Sequence, residues 1–222
     1  MIQNTDNKSL SELFSSDNKV TYHIPKYQRE YIWGKWNWEA LFDDIEESQG
    51  GHFLGSIICI NTQRDSHKPA ELELVDGQQR MATISLFYLM ENLPAAGDDE
   101  QKIEQQVNLM SLRNKIVLDG DIRLSPSLSN QNFDDYRWIF SNEIKESKAV
   151  KKPKFLGLRQ ISRAFNFFIN RLNETDENDN PLYSYKSAQQ LLTKLNSATL
   201  VKIDVATHAD AFTLFETLNN RG

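Results

Sequence analysis

The sequence predicts an α/β (α+β) protein whose core is built from both ends of the chain, and three observations support this. Residues 1–94 combine strand-like apolar runs with helical patterns. Residues 198–222 add one more strand pattern and one more helix. Residues 95–197 carry mostly helical patterns, so we expect a large, mostly helical insertion between the two parts of the core.

Apolar periodicity predicts the elements of the first part. After a short amphipathic helix at 9–14, residues 20–24 alternate apolar and polar side chains, as a half-buried strand does. Apolar residues at helical spacing predict a helix over 38–45, which Gly50 ends. Residues 53–60 form a buried strand pattern that is able to pair with a strand at 71–75 as a hairpin with a long connection.

A helix over 79–93 is apolar almost all round, which indicates a central buried helix with Arg80 held at its start. Residues 94–97 break the pattern, and acidic residues from Asp98 open the next helix. The remaining predictions are a short strand at 122–124, helices at 133–145, 155–172 and 187–196, a strand at 201–205 and a last helix at 209–218.

Composition limits the classes of function. The 222 residues include 25 basic and 31 acidic side chains, so a net charge of −6 argues against a generally nucleic-acid-binding surface. No apolar run approaches the roughly 20 residues of a membrane span, and the N-terminus lacks a signal pattern, so we expect a cytoplasmic protein without membrane contact. Cys59 lies in an apolar run, which predicts a buried structural thiol rather than a nucleophile.

One local span is basic enough to contact DNA or RNA, although a solvated linker and helix face is the commoner explanation of such charges. Both interpretations stay open at this point. The basic residues of the span are Lys145, Lys148, Lys151, Lys152, Lys154, Arg159 and Arg163.

The most informative polar segment runs from Asp76 to Arg80, between a strand pattern and the buried helix. A helix N-terminus suits an anion such as phosphate, because unpaired N–H groups and the positive end of the helix dipole meet there. Gly77 lets the backbone approach a ligand, and Arg80 adds a planar cationic group. Asp76 is able to bind a divalent metal or to orient Arg80. Burying Gln78 and Gln79 without partners would be costly.

Two further segments mix polar groups with aromatic residues. Arg29 is able to clamp a phosphate and Gln28 to pair with a base edge or a carboxylate, while Tyr27, Tyr31 or Trp33 is able to stack. The alternative is that these aromatics are core and that Arg29 forms a structural ion pair. At the other end of the chain, a helix end explains Gly222 but does not require Glu216, Asn219 and Arg221 together.

Four ordered motifs resemble those of one family, the N-terminal domain of GmrSD-type, modification-dependent (type IV) restriction systems, within the ParB/sulfiredoxin-like superfamily. The resemblance spans nearly the whole chain. The motifs are Ile24-Pro25-x-Tyr27-Gln28-Arg29-x-Tyr31-x-Trp33, Phe53-Leu54-Gly55-Ser56-Ile57, Val75-Asp76-Gly77-Gln78-Gln79-Arg80 and Phe215-x-x-Leu218-Asn219-x-Arg221-Gly222.

The resemblance implies a ParB-like mixed-sheet core and an Asp-Gly-Gln-Gln-Arg motif tied to nucleotide binding and hydrolysis. It implies catalytic roles for Asp76, Gln78, Gln79 and Arg80. It implies a Mg²⁺ cofactor, with Asp76 and Glu216 as candidate ligands. The implied nucleotide-binding residues are Tyr27, Gln28, Arg29, Gly77, Asn219 and Arg221.

Family members commonly act in defence against phage DNA, and many carry a C-terminal HNH-type nuclease. The partners implied are therefore GTP or ATP, DNA that includes modified phage DNA, and such a nuclease; an oligomer is allowed. The four histidines have no pair at metal-ligand spacing. We therefore expect no HNH activity from this chain by itself, and we expect the chain to be part of a longer protein.

Three functions remain open from the sequence. The leading one is a nucleotide-binding, NTP-hydrolysing sensor domain of an anti-phage restriction protein. The second is a module that binds a nucleotide or modified DNA without hydrolysis and gates a partner nuclease, which fits the lack of a Walker-type loop. The third, which ranks lowest, is a ParB-like DNA endonuclease.

Overall fold

A computed structural model describes residues 1–62, 70–89, 99–126, 132–144 and 150–219. Its strands are β1 (Ile2–Ser9), β2 (Val20–Ile24), β3 (Phe53–Asn61), β4 (Ala70–Asp76), β5 (Val117–Leu118), β6 (Asp121–Ile122), β7 (Leu124–Pro126) and β8 (Thr199–Val205). Six of them form one mixed sheet in the order β1-β8-β3-β4-β2-β7, and β5 pairs with β6. The predicted α/β class is confirmed.

Eight helices surround this sheet in the described residues. They are α1 (Leu10–Leu13), α2 (Lys35–Glu47), α3 (Gln78–Tyr88), α4 (Asp99–Ile116), α5 (Asn132–Ile144), α6 (Gln160–Leu172), α7 (Tyr185–Ser197) and α8 (His208–Asn219), with a 3₁₀ turn at Leu156–Leu158. Within the described ranges, no helix combines the length and the apolar character that a membrane crossing requires.

Alternation along β3 divides the core between the two faces of the sheet. Ile57 and Cys59 belong to the larger hydrophobic cluster, which includes the buried sides of α2, α3, α6 and α7. Ile58 and Ile60 belong to a smaller cluster on the opposite face, where Ala211 of α8 packs. Side chains alternate in this way because successive Cβ atoms of a strand point to opposite faces. The burial of Cys59 is confirmed, and it raises the pKa of the thiol to about 12.

Three stacked phenylalanines join α2, α3 and α6. The ring centroids of Phe42 and Phe87 are 5.7 Å apart, and those of Phe87 and Phe168 are 4.7 Å apart. Because α6 lies within residues 95–197, the helical insertion shares the main core. The same range supplies β7, which extends the sheet beside β2. The division into 1–94, 95–197 and 198–222 stays a prediction, as does the relation to sulfiredoxin-like folds.

The sequence patterns did not predict β1, whose polar residues show no apolar alternation. Backbone pairing with β8 holds this edge strand, from Asn4 opposite Asp204 to Ser9 opposite Thr199. Main-chain hydrogen bonds need no particular side chain, so a polar segment satisfies them at a sheet edge.

The predicted short strand at 122–124 is divided into β6 and β7 by the buried residue Arg123. β6 ends at Ile122 and β7 begins at Leu124, and between them Arg123 is fully buried. Its guanidinium donates to the carbonyl oxygens of Ser15, Asn18 and Val20 at 2.9, 2.7 and 3.2 Å. A buried arginine that bonds three carbonyls closes the turn before β2 and has a structural role.

The central helix is shorter than its apolar pattern indicates. α3 ends at Tyr88 with Leu89 as its C-cap, and residues 90–98, which include the predicted break, lie outside the described residues. The hairpin of β3 and β4 is confirmed as an antiparallel pair. It delivers the end of β4 directly into α3, which positions the candidate site.

Candidate functional site

A cleft of about 750 Å³ lies where three chain segments meet. The segments are the loop after β2, the junction between β4 and α3, and the first two turns of α8. The predicted site residues that line the cleft are Tyr27, Gln28, Arg29, Asp76, Gly77, Gln78, Gln79 and Arg80. Two motifs that lie about 50 residues apart therefore share one cleft, although their roles in binding and catalysis stay predictions.

Gly77 sets the geometry of the β4–α3 junction. It is the N-cap of α3 and has a left-handed φ of +83°, a conformation that glycine adopts without steric cost. A Cβ at this position would lie 2.6 Å from Cγ2 of Ile57 and 3.2 Å from the carbonyl oxygen of Ser56. The turn therefore packs directly on β3, and it aims the start of α3 into the cleft. Gly77 provides no side-chain cap for the first N–H groups of α3.

Arg80 lies in the first turn of α3, and its guanidinium is seated on β3. Its Nη1 donates to the carbonyl oxygen of Ser56 at 2.9 Å. A Cβ at Gly55 would meet the guanidinium at 3.1 Å, so the missing side chain of Gly55 makes the seat for Arg80. Glycine within a strand often marks a close approach, and at Gly55 the approaching group is this side chain.

Burial lowers the pKa of Arg80, while the carboxylate of Asp76 opposes that shift. The guanidinium stays protonated at neutral pH, because arginine is effectively always charged in proteins. The cleft therefore contains a fixed, partly desolvated cation at a helix N-terminus. A second cation, Arg29, is exposed and lines the same cleft.

The amides of Gln28 and Gln78 are linked in a chain. Gln28 Nε2 donates to the carbonyl oxygen of Val75 at 2.6 Å, and Gln78 Nε2 donates to Gln28 Oε1 at 2.8 Å. Gln78 is 8% exposed, and this chain supplies the partner that its burial requires. The loop after β2 is thereby fastened to the end of β4.

Gln79 fastens the same loop further along. Its Oε1 accepts from the backbone N–H of Ile32 at 2.8 Å and of Trp33 at 3.4 Å. Its Nε2 donates to the carbonyl oxygen of Glu30 at 3.0 Å. The Gln79 amide thus has partners at both ends, and the geometry favours a positioning role for it over contact with an attacking water.

Replacing Gln79 with alanine should therefore release the loop after β2. The change removes three hydrogen bonds and is expected to lower the free energy of unfolding by about 2 kcal/mol. Trypsin is expected to cleave faster after the exposed residues Lys26 and Arg29. Urea unfolding and timed digestion measure the two effects, with Gln106→Ala on the exposed side of α4 as the control. A cleavage rate unchanged from wild type would contradict this anchoring role.

The aromatic residues of the first motif divide between core and cleft. Tyr31 is 7% exposed, exchanges a hydrogen bond with Thr83 Oγ1 at 2.6 Å and accepts one from Trp38 Nε1 at 2.9 Å. It is a core residue. Tyr27 is 56% exposed and lines the cleft together with Trp33.

Several residues at one wall of the cleft have no site role predicted from the sequence, although Phe215 belongs to the fourth motif. Tyr27 Oη donates to Glu73 Oε1 at 2.5 Å, and His208 Nε2 lies 2.6 Å from the same oxygen. Phe212 and Phe215 of α8 continue this wall. The signal for the α8 residues was their spacing of four and then three positions, which places them on one helix face. No local pattern marks Glu73, because its partner His208 is 135 residues away.

The remaining predicted site residues lie in the last turns of α8 and beyond it. Glu216 is exposed and is absent from the cleft lining. The side chain of Asn219 and the whole of Arg221 lie outside the described residues. Gly222 also lies there, so its predicted role as a helix stop stays a prediction.

The basic span keeps both of its interpretations. Lys145 and Lys148 lie outside the described residues, while Lys151 and Lys152 are exposed. Arg159 Nε lies 3.5 Å from the buried carboxylate of Asp135, so at least this charge of the span has a structural partner.

The donor set for a metal is sparse. The described residues contain no group of three or more His, Cys, Asp or Glu side chains able to hold an ion. Asp76 is a carboxylate in the cleft wall. Mg²⁺ is commonly bound through one or two carboxylates together with substrate phosphates and water, so the cleft fits this cation as a companion of a phosphate ligand.

Comparison with known protein families identifies a match over most of the chain. The family model described as GmrSD restriction endonuclease, N-terminal domain, matches residues 10–222. The matched range includes every segment that lines the cleft. The search of curated proteins finds no match.

Proposed function

The chain belongs to the family of GmrSD restriction endonuclease N-terminal domains, and from that premise we propose that its cleft binds a nucleoside triphosphate and hydrolyses it. The family implies a role in a restriction system that defends against phage. The finer proposal concerns the ligand of the cleft, GTP or ATP, and its turnover.

One observation carries the proposal: the guanidinium of Arg80 sits at the N-terminus of α3, in a cleft that Arg29 also lines. Phosphate groups favour such a place, because a helix N-terminus offers N–H donors and a positive dipole end. Arginine adds two parallel donors that match phosphate oxygens. A volume of about 750 Å³ falls within the range of about 300–1,000 Å³ typical of small-molecule sites.

In the proposed phosphoryl transfer, the residues of the cleft have different roles. Arg80 and Arg29 bind phosphate oxygens, and the backbone at Gly77 and Gln78 holds a further phosphate. The hydrogen bond that Gln78 donates uses its amide nitrogen, and no hydrogen bond to its amide oxygen comes from the described residues, so this oxygen is the group that would orient the attacking water. Asp76 and the phosphates would hold Mg²⁺, which would neutralise phosphate charge. Phosphoryl transfer depends chiefly on such positioning and charge stabilisation.

The proposed consequence is regulation of DNA cleavage. The nucleotide state of the cleft would control an HNH-type nuclease partner that acts on modified phage DNA, with this chain as the sensor. The loop after β2 and α8 meet across the cleft, so a ligand that contacts both is able to alter their relative position.

Titration calorimetry with GTP and with ATP in the presence of Mg²⁺ tests the binding step, and a phosphate-release assay tests the turnover step. We expect saturable binding and slow release of phosphate. Binding without phosphate release would favour the non-hydrolytic module that gates a nuclease. Failure of both nucleotides to bind at millimolar concentration would reject the proposal.

A further inference from the structure

One face of α8 presents aromatic side chains to the cleft. His208, Phe212 and Phe215 follow one another by four and then three positions, so they lie on the same side of the helix. Phe212 is 60% exposed and Phe215 is 39% exposed. All three side chains line the cleft that also contains Arg80.

The side of α8 that packs on the sheet does not include Phe212. The helix is held to the sheet by another side, where the fully buried Ala211 contacts the cluster of Ile58 and Ile203, with Leu214 packed against it. Exposed apolar patches often mark ligand-binding grooves. Small-molecule sites are concave and are lined largely by apolar and aromatic side chains. The exposed ring of Phe212 is therefore accessible to a ligand in the cleft.

His208, the first residue of the aromatic face, is held in place by Glu73 of β4. His208 Nε2 lies 2.6 Å from Glu73 Oε1, and the side chain of Glu73 is only 14% exposed. Tyr27 donates to the same oxygen, and its ring lies edge-on to His208 at a centroid distance of 5.9 Å. A carboxylate of β4 thus fixes both rings, which reduces the entropy lost when a planar ligand stacks beside them.

We propose that Phe212 and Phe215, with His208 at their N-terminal side, form the nucleobase subsite of the cleft. This proposal rests on the proposed function, because it takes the phosphates to lie at Arg29 and Arg80. It adds that the cleft recognises a nucleoside triphosphate through its base, and not an inorganic polyphosphate through charge alone.

The chemistry of the two kinds of side chain in the cleft supports this assignment. Arginine binds phosphate oxygens but does not distinguish a nucleotide from free polyphosphate. Aromatic rings accept any base, because every base has a π-face, and a stacked base contributes about 5- to 150-fold in affinity by alanine substitution. A ligand that contacts both the arginines and the aromatic rings therefore needs both a polyphosphate and a planar base.

The variant Phe212→Ala tests the subsite, with calorimetric titration of ATP, GTP and inorganic tripolyphosphate against the full chain. We expect this variant to bind both nucleotides about 5- to 150-fold more weakly than wild type and to bind tripolyphosphate unchanged. Phe212→Trp should restore nucleotide binding. Phe155→Ala, at a phenylalanine that is 61% exposed outside the cleft, is the matched control. Because Phe212 is exposed, thermal unfolding should be unchanged.

The other outcomes separate the two proposals. Wild-type protein that binds tripolyphosphate as tightly as ATP and GTP would overturn the base subsite and leave the phosphate site standing. Equal weakening of all three ligands in Phe212→Ala, or weakening of none, would likewise overturn it. Wild-type protein that binds none of the three ligands would reject both the proposed function and this subsite.

Discussion

Replacing Arg80 with alanine is expected to reduce nucleoside triphosphate affinity by about 100-fold or more and to abolish phosphate release. Two charge-assisted hydrogen bonds to phosphate are worth about 3–6 kcal/mol together, of which solvent recovers a part in the variant. The fold should survive, because among the described residues the side chain makes one hydrogen bond, to the partly exposed residue Ser56. Calorimetry and phosphate release measure the functional loss, and thermal unfolding checks the fold.

Two further variants sharpen the interpretation of Arg80. Arg80→Lys keeps the positive charge but loses the planar pair of donors, so we expect an intermediate loss of affinity. Arg163→Ala removes an exposed arginine of α6 outside the cleft lining and should leave binding unchanged. A folded Arg80→Ala protein with wild-type affinity and turnover would refute the phosphate role of the β4–α3 junction.

Local patterns in the sequence predicted the strands whose apolar side chains alternate with polar ones or follow one another without a break. β2 follows from its period of two, and β3 follows from its continuous apolar run. β1 could not be predicted in this way, because backbone pairing at a sheet edge leaves no periodic signature in polar side chains. The burial of Arg123 escaped for a similar reason, since its partners are main-chain carbonyls about 100 residues earlier in the chain.

For the site, the sequence indicates that buried glutamine side chains need hydrogen-bond partners, but it does not identify those partners. Burial of Gln78 and Gln79 demanded partners, and the structure supplies them from Gln28 and from the backbone of residues 30–33. These partners lie 46 to 50 residues away, so only the folded chain identifies them. Glu73 and His208 lie 135 residues apart in the sequence, so no local pattern predicts their contact.

Replacing Gly77 with alanine is expected to be the most destabilising single change at the cleft, at about 2–5 kcal/mol. The left-handed backbone costs an L-residue about 1–2 kcal/mol. Overpacking against a buried side chain adds about 1–3 kcal/mol. The added methyl group would lie 2.6 Å from Cγ2 of Ile57, a residue with no exposed surface. Urea unfolding measures the loss.

Two other glycines separate the conformational cost at Gly77 from its steric cost. Gly51 has a φ of +70° and open space at its Cβ position, so Gly51→Ala reports the backbone cost alone. Gly157 has open space and no left-handed φ, so Gly157→Ala reports neither cost. We expect destabilisation to fall in the order Gly77→Ala, Gly51→Ala, Gly157→Ala. Equal effects at Gly77 and Gly51 would show that the junction relaxes away from β3, and the close packing that aims α3 into the cleft would then lose its structural basis.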